Sequence, residues 1–250
     1  MMSRWVKLIA IALLSLFLVC PKAEALPLAT TNTPMTALGQ INSDTELIPS
    51  QSLTTPAQNF ASSSLPYDAR LIDIGSVNSD VRLDIRYATE NNFLKRKVYP
   101  VARCVLRGSA VRRLSQVQED LEKRGLGLKV YDCYRPLSVQ RLMWQIKPDS
   151  RYVANPARGS RHNRGAAVDL TLVDSNGREL PMPTGFDDFT ERAHRNYNGA
   201  SAEAKKNRKI LEDAMKKYGF IPLPTEWWHF DAPDWNKYAV LNVGFGEIPQ

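Results

Sequence analysis

Two short segments of the sequence concentrate the residue types that bind metals and transfer protons. The segment SRHNRGAAVD contains His162 and Asp169, and the segment EWWH contains Glu226 and His229. Asp169 lies in an apolar run, where an ionised carboxylate has a large desolvation cost unless a positive charge meets it. Two imidazoles and one carboxylate are a common ligand set for catalytic zinc, which keeps its fourth position for water. The sequence therefore predicts a zinc site formed by His162, Asp169 and His229.

The spacing within each segment requires the chain to bend. In a straight strand, residues as far apart as His162 and Asp169 would be separated by about 23 Å and would face opposite sides. The intervening residues Asn163, Arg164 and Gly165 have the composition of a turn that could bring the two side chains together. Glu226 and His229 have opposite parity along a strand, so a second turn is predicted between them.

Glu226 and Arg135 are the candidates for catalytic roles. A zinc-bound water has its pKa lowered to roughly 7, and a neighbouring carboxylate can take its proton and deliver it to a leaving amine. Glu226 is predicted to be this general base. Arg135, in YDCYRPLSVQ, carries a charge that does not titrate in the working range, so it could stabilise an oxyanion. Asp132, in the same segment, could orient Arg135 or a ligand imidazole.

Each of these residues has a simpler explanation when it is considered alone. His162 could be a polar loop residue, Asp169 a salt-bridge partner, and Glu226 an exposed side chain. Arg135 could stabilise the turn before a proline. The joint pattern favours one metal site, because several independent coincidences would otherwise be required.

Strands and helices that could position these residues are interspersed along the chain. The two-residue period of SDVRLDIRYAT predicts a strand, and LGLKVYD, GAAVDLTLV and WWHFD predict three more. Helical spacing of apolar residues predicts helices over 111–121, over LSVQRLMWQI and over 201–218. Few intervals fit a regular crossover unit. We therefore expect a single α+β domain with a mainly antiparallel central sheet, flanking helices and the zinc site on the sheet.

The first 25 residues predict export. They begin with basic side chains, continue through the apolar run LIAIALLSLFLV and reach AEA, the small-residue pattern of a signal peptidase site. The apolar run is shorter than the ~20 residues that span a bilayer, so a cleaved signal is favoured over a stable membrane span. Cys20 leaves a lipoprotein as an alternative, although Val19 is bulkier than the residue that usually precedes a lipidated cysteine. The expected location is periplasmic or extracellular.

The rest of the chain divides into a linker and one domain. Residues 26–65 are rich in Thr, Ser, Pro, Asn and Gln without a consistent apolar period, which predicts a flexible linker. Residues 66–250 are long enough for one well-buried core. The net charge of +7 is spread without a basic cluster, so no nucleic-acid partner is predicted. After signal cleavage, Cys104 and Cys133 could form one disulfide or remain as two buried thiols.

Several segments together resemble the D-alanyl-D-alanine dipeptidases, the zinc peptidases of the vancomycin-resistance type. They are YDCYRPLSVQ, EWWHFD and the pattern S-x-H-x-x-G-x-A-x-D, and RYATENNF and VYPVARCVLR extend the resemblance from roughly residue 70 to 240. The resemblance implies one zinc ion per chain, held by His162, Asp169 and His229. It also implies Glu226 as the catalytic base and Arg135 as the group that stabilises the transition state.

The same resemblance implies a substrate and two residues that bind it. The substrate would be the dipeptide D-Ala-D-Ala, hydrolysed to free D-alanine. Asp187 in GFDDF is the candidate for holding the substrate ammonium, with the adjacent Asp188 as an alternative, and Ser160 is the candidate for contacting the carboxylate. Cys133 departs from the family pattern, in which a small residue is more usual, and its pairing with Cys104 would be peculiar to an exported form.

Two other functions compete with the dipeptidase interpretation. A zinc D,D-carboxypeptidase or peptidoglycan endopeptidase would use the same chemistry on longer wall peptides. A dipeptidase must close around a charged ammonium and needs an acidic partner for it, whereas a longer peptide needs an open groove. The acids of GFDDFTE therefore favour the dipeptidase, and export favours work in wall turnover or nutrient recovery. A non-catalytic wall-binding module is the third interpretation, and Glu226 argues against it because a binder needs no base beside the metal.

Overall fold

The computed structural model describes residues 65–249 of the chain. The predicted signal sequence, Cys20 and all but the last residue of the predicted linker lie outside these described residues. None of the described helices has the length and apolar character needed to cross a membrane.

Seven strands and three α-helices make up the regular structure of the described residues. In chain order they are β1 (Leu71–Asp73), β2 (Arg82–Leu83), β3 (Val105–Arg107), α1 (Gly108–Glu122), β4 (Leu126–Asp132), α2 (Leu137–Ile146), β5 (Ala167–Asp174), α3 (Ala202–Lys217), β6 (Ile221–Pro222) and β7 (His229–Asp231). The main sheet has the order β2-β4-β5-β7-β6, and β1 pairs with β3 separately. Only β2 and β4 run parallel, while all the other pairs are antiparallel. The predicted α+β fold with a mainly antiparallel sheet is confirmed.

The helices form where the sequence combines an apolar face with a suitable first residue. In α1 the predicted apolar residues are fully buried, and the helix packs on β4 and α3. Pro136 precedes α2, where its missing N–H costs no helical hydrogen bond. Ser201 caps α3, since its side chain accepts a hydrogen bond of 3.1 Å from the backbone N–H of Ala204. These helices hold the central strands β4 and β5 in the core.

Two predicted strands are shorter than their sequence patterns suggest. The pattern SDVRLDIRYAT keeps only β2 as strand, and Leu83 is 40% exposed where the alternation predicts burial. The chain then enters a 3₁₀ turn, Arg86–Ala88, which directs Tyr87 into the core. In WWHFD, only the last three residues are strand, because Trp227 and Trp228 lie in a bend and are buried in the core.

Cys104 and Cys133 form a disulfide, with their Cα atoms 5.2 Å apart. The bond joins the residue before β3 to the residue after β4, and both side chains are buried. The structure therefore favours the disulfide over two buried thiols.

Candidate active site

The register of the main sheet places three polar residues side by side on neighbouring strands. Asp169 in β5 pairs with Asp132 at the end of β4 and with His229 at the start of β7. His162 reaches the same point from a 3₁₀ turn immediately before β5. Gly165 completes this turn at φ 67°, a left-handed conformation that favours glycine. The turn predicted from NRG is therefore present, and it brings His162 back towards Asp169.

The side chains of His162, Asp169 and His229 converge on one buried point. Nδ1 of His229 lies 2.9 Å from Oδ1 of Asp169 and 3.1 Å from Nε2 of His162, and Nε2 of His162 lies 3.3 Å from Oδ2 of Asp169. All three potential ligand atoms lie within 4.8 Å of one another. Burial opposes the ionisation of Asp169, but His162 and His229 outweigh it and hold the pKa of Asp169 below its usual range. The donor set fits a zinc ion, because two imidazole nitrogens and a carboxylate can bind it and leave a fourth position open.

Each histidine has a second partner that fixes its orientation. His162 donates through Nδ1 to the carbonyl oxygen of Cys133, at 2.7 Å. His229 contacts Oδ1 of Asp231 through Nε2, at 2.9 Å. Such contacts select the ring nitrogen that faces a metal. Asp231 was missed by the sequence analysis, although its place two residues after His229 in a strand puts both on the same face.

Glu226 lies beside this cluster at a turn of the chain. The backbone N–H of His229 donates to the carbonyl oxygen of Glu226 at 3.4 Å, which is the turn predicted between them. The Oε2 atom of Glu226 lies 3.9 Å from Nδ1 of His229. Burial raises the pKa of Glu226 to about 7; the charge of Asp169 adds to this rise, whereas His229 and Arg135 oppose it. A carboxyl group with this pKa can both accept and release a proton near neutral pH.

Arg135 is held rigidly at the edge of the same cavity. Its Nε and Nη2 atoms donate to Oδ2 of Asp132 at 3.1 and 2.6 Å, and Nη1 donates to Oε1 of Gln140 at 2.8 Å. Tyr99 donates its hydroxyl to the other oxygen of Asp132, at 2.8 Å. Asp132 thus orients Arg135, one of the two roles considered for it. Two guanidinium hydrogens of Arg135 are not used by these contacts and are available to a ligand.

The predicted substrate-binding residues lie on the wall of a small cavity next to the histidines. The cavity has a volume of about 120 Å³, and Asp187, Ser160, Glu226 and Arg135 line it. Tyr87 donates its hydroxyl to Oδ2 of Asp187 at 3.0 Å. Burial raises the pKa of Asp187 well above its usual range, and the nearby charge of Asp169 raises it further.

The two adjacent acids of GFDDF have different surroundings. Asp187 lines the cavity, whereas Asp188 accepts hydrogen bonds from the backbone N–H and the hydroxyl of Thr190, at 3.0 and 2.5 Å. Asp188 is absent from the residues that line the cavity in the described part of the chain. The geometry therefore distinguishes the two aspartates, which the sequence alone could not do.

Comparisons with known proteins identify the family of this chain. A family model described as peptidase M15, D-ala-D-ala dipeptidase, matches residues 67–245. A D-alanyl-D-alanine dipeptidase of Escherichia coli (strain K12) is 37% identical, and the match covers 68% of this chain and 89% of that protein. Enzymes with the same name from Enterococcus faecium and Enterococcus faecalis are 34% and 32% identical; the matches cover 65% and 62% of this chain and 93% and 87% of those proteins. The chain belongs to the D-alanyl-D-alanine dipeptidase family of peptidases.

Proposed function

We propose that this protein hydrolyses the dipeptide D-Ala-D-Ala to two molecules of D-alanine, with one zinc ion per chain. The observation that carries the proposal is the buried cluster of His162, Asp169 and His229 beside Glu226 in a cavity of about 120 Å³. The names of the relatives support the substrate, because each is a D-alanyl-D-alanine dipeptidase.

His162, Asp169 and His229 would hold the zinc ion. When bound, zinc would polarise a substrate carbonyl and would lower the pKa of a water molecule towards neutrality. The contacts of the two imidazoles with Cys133 and Asp231 keep their ligand nitrogens directed at this position before a metal arrives.

Glu226 performs the proton transfers of the reaction. It accepts a proton from the attacking water as the new carbon–oxygen bond forms, and it delivers this proton to the amine nitrogen as the peptide bond breaks. Burial raises the pKa of Glu226, which favours return of the proton to the leaving amine. The products are two molecules of D-alanine, and Glu226 returns to its ionised form.

Arg135 stabilises the negative charge that develops on the carbonyl oxygen. Asp132 and Gln140 fix its guanidinium, so little reorganisation is needed when the charge forms. The two hydrogens of Arg135 that they do not use can be donated to this oxygen.

Asp187 and Ser160 bind the two ends of the substrate. Asp187 pairs with the free ammonium of the substrate. The hydroxyl of Tyr87 donates a hydrogen bond to the carboxylate of Asp187 and holds it in place for this contact. An arriving ammonium favours the ionised form of Asp187, which burial otherwise disfavours. Ser160 accepts a hydrogen bond from the backbone N–H of His162 and keeps its own hydroxyl hydrogen for the substrate carboxylate.

We further propose that the protein is exported to the periplasm or the cell exterior and acts in peptidoglycan turnover. In this proposal residues 1–25 are a cleaved signal peptide, residues 26–65 are a flexible linker and residues 66–250 are the catalytic domain. The disulfide between Cys104 and Cys133 supports an oxidising compartment.

Product analysis with two substrates tests the proposed activity. The zinc-loaded full chain is incubated with free D-Ala-D-Ala and, separately, with a wall pentapeptide that ends in the same two residues. We expect release of D-alanine from the dipeptide alone, because the cavity is small and an acid stands where the ammonium would bind. Release from the pentapeptide with the dipeptide intact would instead identify a carboxypeptidase and would remove the role proposed for Asp187.

A further inference from the structure

Three arginines line the cavity within the described part of the chain, and the guanidinium groups of two of them are hydrogen-bonded to protein side chains. Arg135 donates to Asp132 and Gln140 through all three of its nitrogens. Arg151 donates through Nε and Nη2 to the two carboxylate oxygens of Asp149, at 3.0 and 2.7 Å.

The third arginine, Arg161, is placed differently. Among the described residues its guanidinium donates no hydrogen bond, and its Nε atom is buried without a hydrogen-bond partner. The nearest carboxylate oxygen is Oδ2 of Asp231, at 3.6 Å, which is too long for a hydrogen bond. Arg161 is therefore a cavity cation whose terminal Nη1 and Nη2 donors are available to a ligand.

Two contacts nevertheless keep Arg161 in place. Its guanidinium carbon lies 4.7 Å from the ring centre of Trp235, and the ion pair with Asp231 holds the side chain against β7. The side chain is 43% exposed, so part of it faces the cavity and solvent. A guanidinium held against a ring presents its flat array of donors to a carboxylate with little loss of side-chain entropy.

A free dipeptide carries one charge at each end, and the cavity offers an opposite charge for both. Asp187 is the acid for the ammonium, and it contacts Tyr87. Arg161 contacts Trp235 and Asp231 instead, and it directly follows Ser160, whose hydroxyl hydrogen is available. A carboxylate near Ser160 would otherwise lose water without gaining a cation, which is costly in a confined site.

We propose that Arg161 binds the free α-carboxylate of the substrate, together with the hydroxyl of Ser160, and so selects substrates that end at the residue after the cleaved bond. This inference rests on the proposed hydrolysis of D-Ala-D-Ala and adds the cation that recognises its carboxyl end. Because Arg161 contacts Asp231, which in turn contacts His229, the test must separate carboxylate binding from support of the metal site.

A pair of substrates makes this separation. Wild type, Arg161→Gln, Arg161→Lys and Arg151→Gln are assayed with D-Ala-D-Ala and with its C-terminal amide, which lacks the negative charge. We expect Arg161→Gln to lower kcat/KM for free D-Ala-D-Ala about 30-fold, which is the lower end of the losses seen when one partner of a charge pair is removed. The same variant should change kcat/KM for the amide little. Arg161→Lys keeps a charge and should retain part of the preference for the acid. Arg151→Gln should retain all of it, because Asp149 already engages Arg151.

Several results would overturn the inference. An equal loss on both substrates, or loss of bound zinc from Arg161→Gln, would show that Arg161 acts only by supporting Asp231 and His229. An unchanged acid preference in Arg161→Gln, or its loss in Arg151→Gln alone, would remove Arg161 from carboxylate binding. Wild type that cleaves neither substrate would refute the proposed function, and the inference with it.

Discussion

The carboxylate of Asp231 lies 2.9 Å from Nε2 of His229, on the side of the ring opposite to the metal-binding point. The other ring nitrogen of His229 lies 2.9 Å from Asp169. The imidazole is therefore fixed between two carboxylates, and Nδ1 is the nitrogen that faces the other two predicted ligands. A carboxylate in this position raises the basicity of a ligand histidine and orients it.

Replacing Asp231 should weaken zinc binding without removing a ligand. We expect Asp231→Ala to lower zinc affinity about 10- to 100-fold, the usual effect of losing such a partner. Asp231→Asn should have a smaller effect, because its amide oxygen can still accept a hydrogen bond. Competition with a chelator of known affinity measures the change. Asp234→Asn is the matched control, since Asp234 contacts Tyr238 instead of His229. Unchanged zinc affinity in Asp231→Ala would exclude this role.

Glu226 should be required for turnover but not for metal binding. We expect Glu226→Ala to retain zinc and to lose at least ~10²-fold in kcat, because the proton acceptor is gone. Glu226→Gln, which matches the side chain in size, should lose a similar factor. Zinc content and kcat are measured on the same samples. Bound zinc with a near-normal rate would remove Glu226 from the mechanism.

Arg135 should affect the chemical step more than substrate binding. Its charge is matched to an oxyanion that exists only in the transition state, so Arg135→Ala should lower kcat far more than it raises KM. This variant also leaves the buried Asp132 without its cation, which destabilises the fold. Arg135→Lys retains a charge near Asp132 and should show the same split between kcat and KM with less destabilisation. A change confined to KM in both variants would contradict the role.

The two adjacent aspartates provide a matched pair for the ammonium site. We expect Asp187→Asn to raise KM for D-Ala-D-Ala at least ~10-fold, because a charged partner of the ammonium is replaced by a neutral amide. Asp188→Asn should have little effect, since Asp188 contacts Thr190 and does not line the cavity. Steady-state kinetics of both variants distinguish them. A larger effect at Asp188 would reverse the assignment.

The sequence could predict the parts of the site that depend on local pattern. Apolar periodicity predicted the three helices and the central strands β4 and β5, and parity required a turn before β5 and a turn before β7. Residue type selected His162, Asp169 and His229 as a group, and the register of the sheet brings them together. Residue type and spacing were sufficient there, because each segment carries its own turn or strand.

The parts that depend on long-range packing could not be predicted. Tyr87 reaches the site from a region whose alternation suggested a strand, and Tyr99 reaches it from the segment that follows; the hydroxyl partners of both are distant in the sequence. The strand pattern failed at Leu83 because the chain leaves the sheet after pairing briefly with β4. The partners of Arg161 are Asp231 and Trp235, which lie about 70 residues later in the chain, so no local spacing could connect them to it.

The disulfide should stabilise the folded chain, and its loss should affect stability more than catalysis. Cys104 and Cys133 are 29 residues apart in sequence, and closing a loop of this length stabilises a protein by about 3 to 4 kcal/mol in the chain-entropy description. We expect Cys104→Ser with Cys133→Ser to lower the free energy of unfolding by this order. The rate at low temperature should be nearly preserved, because His162 contacts the backbone carbonyl of Cys133 and not its sulfur. Denaturant unfolding of wild type with and without reductant provides the control, since only wild type has a bond to reduce. Equal unfolding midpoints for wild type and the double variant would refute the stabilising role.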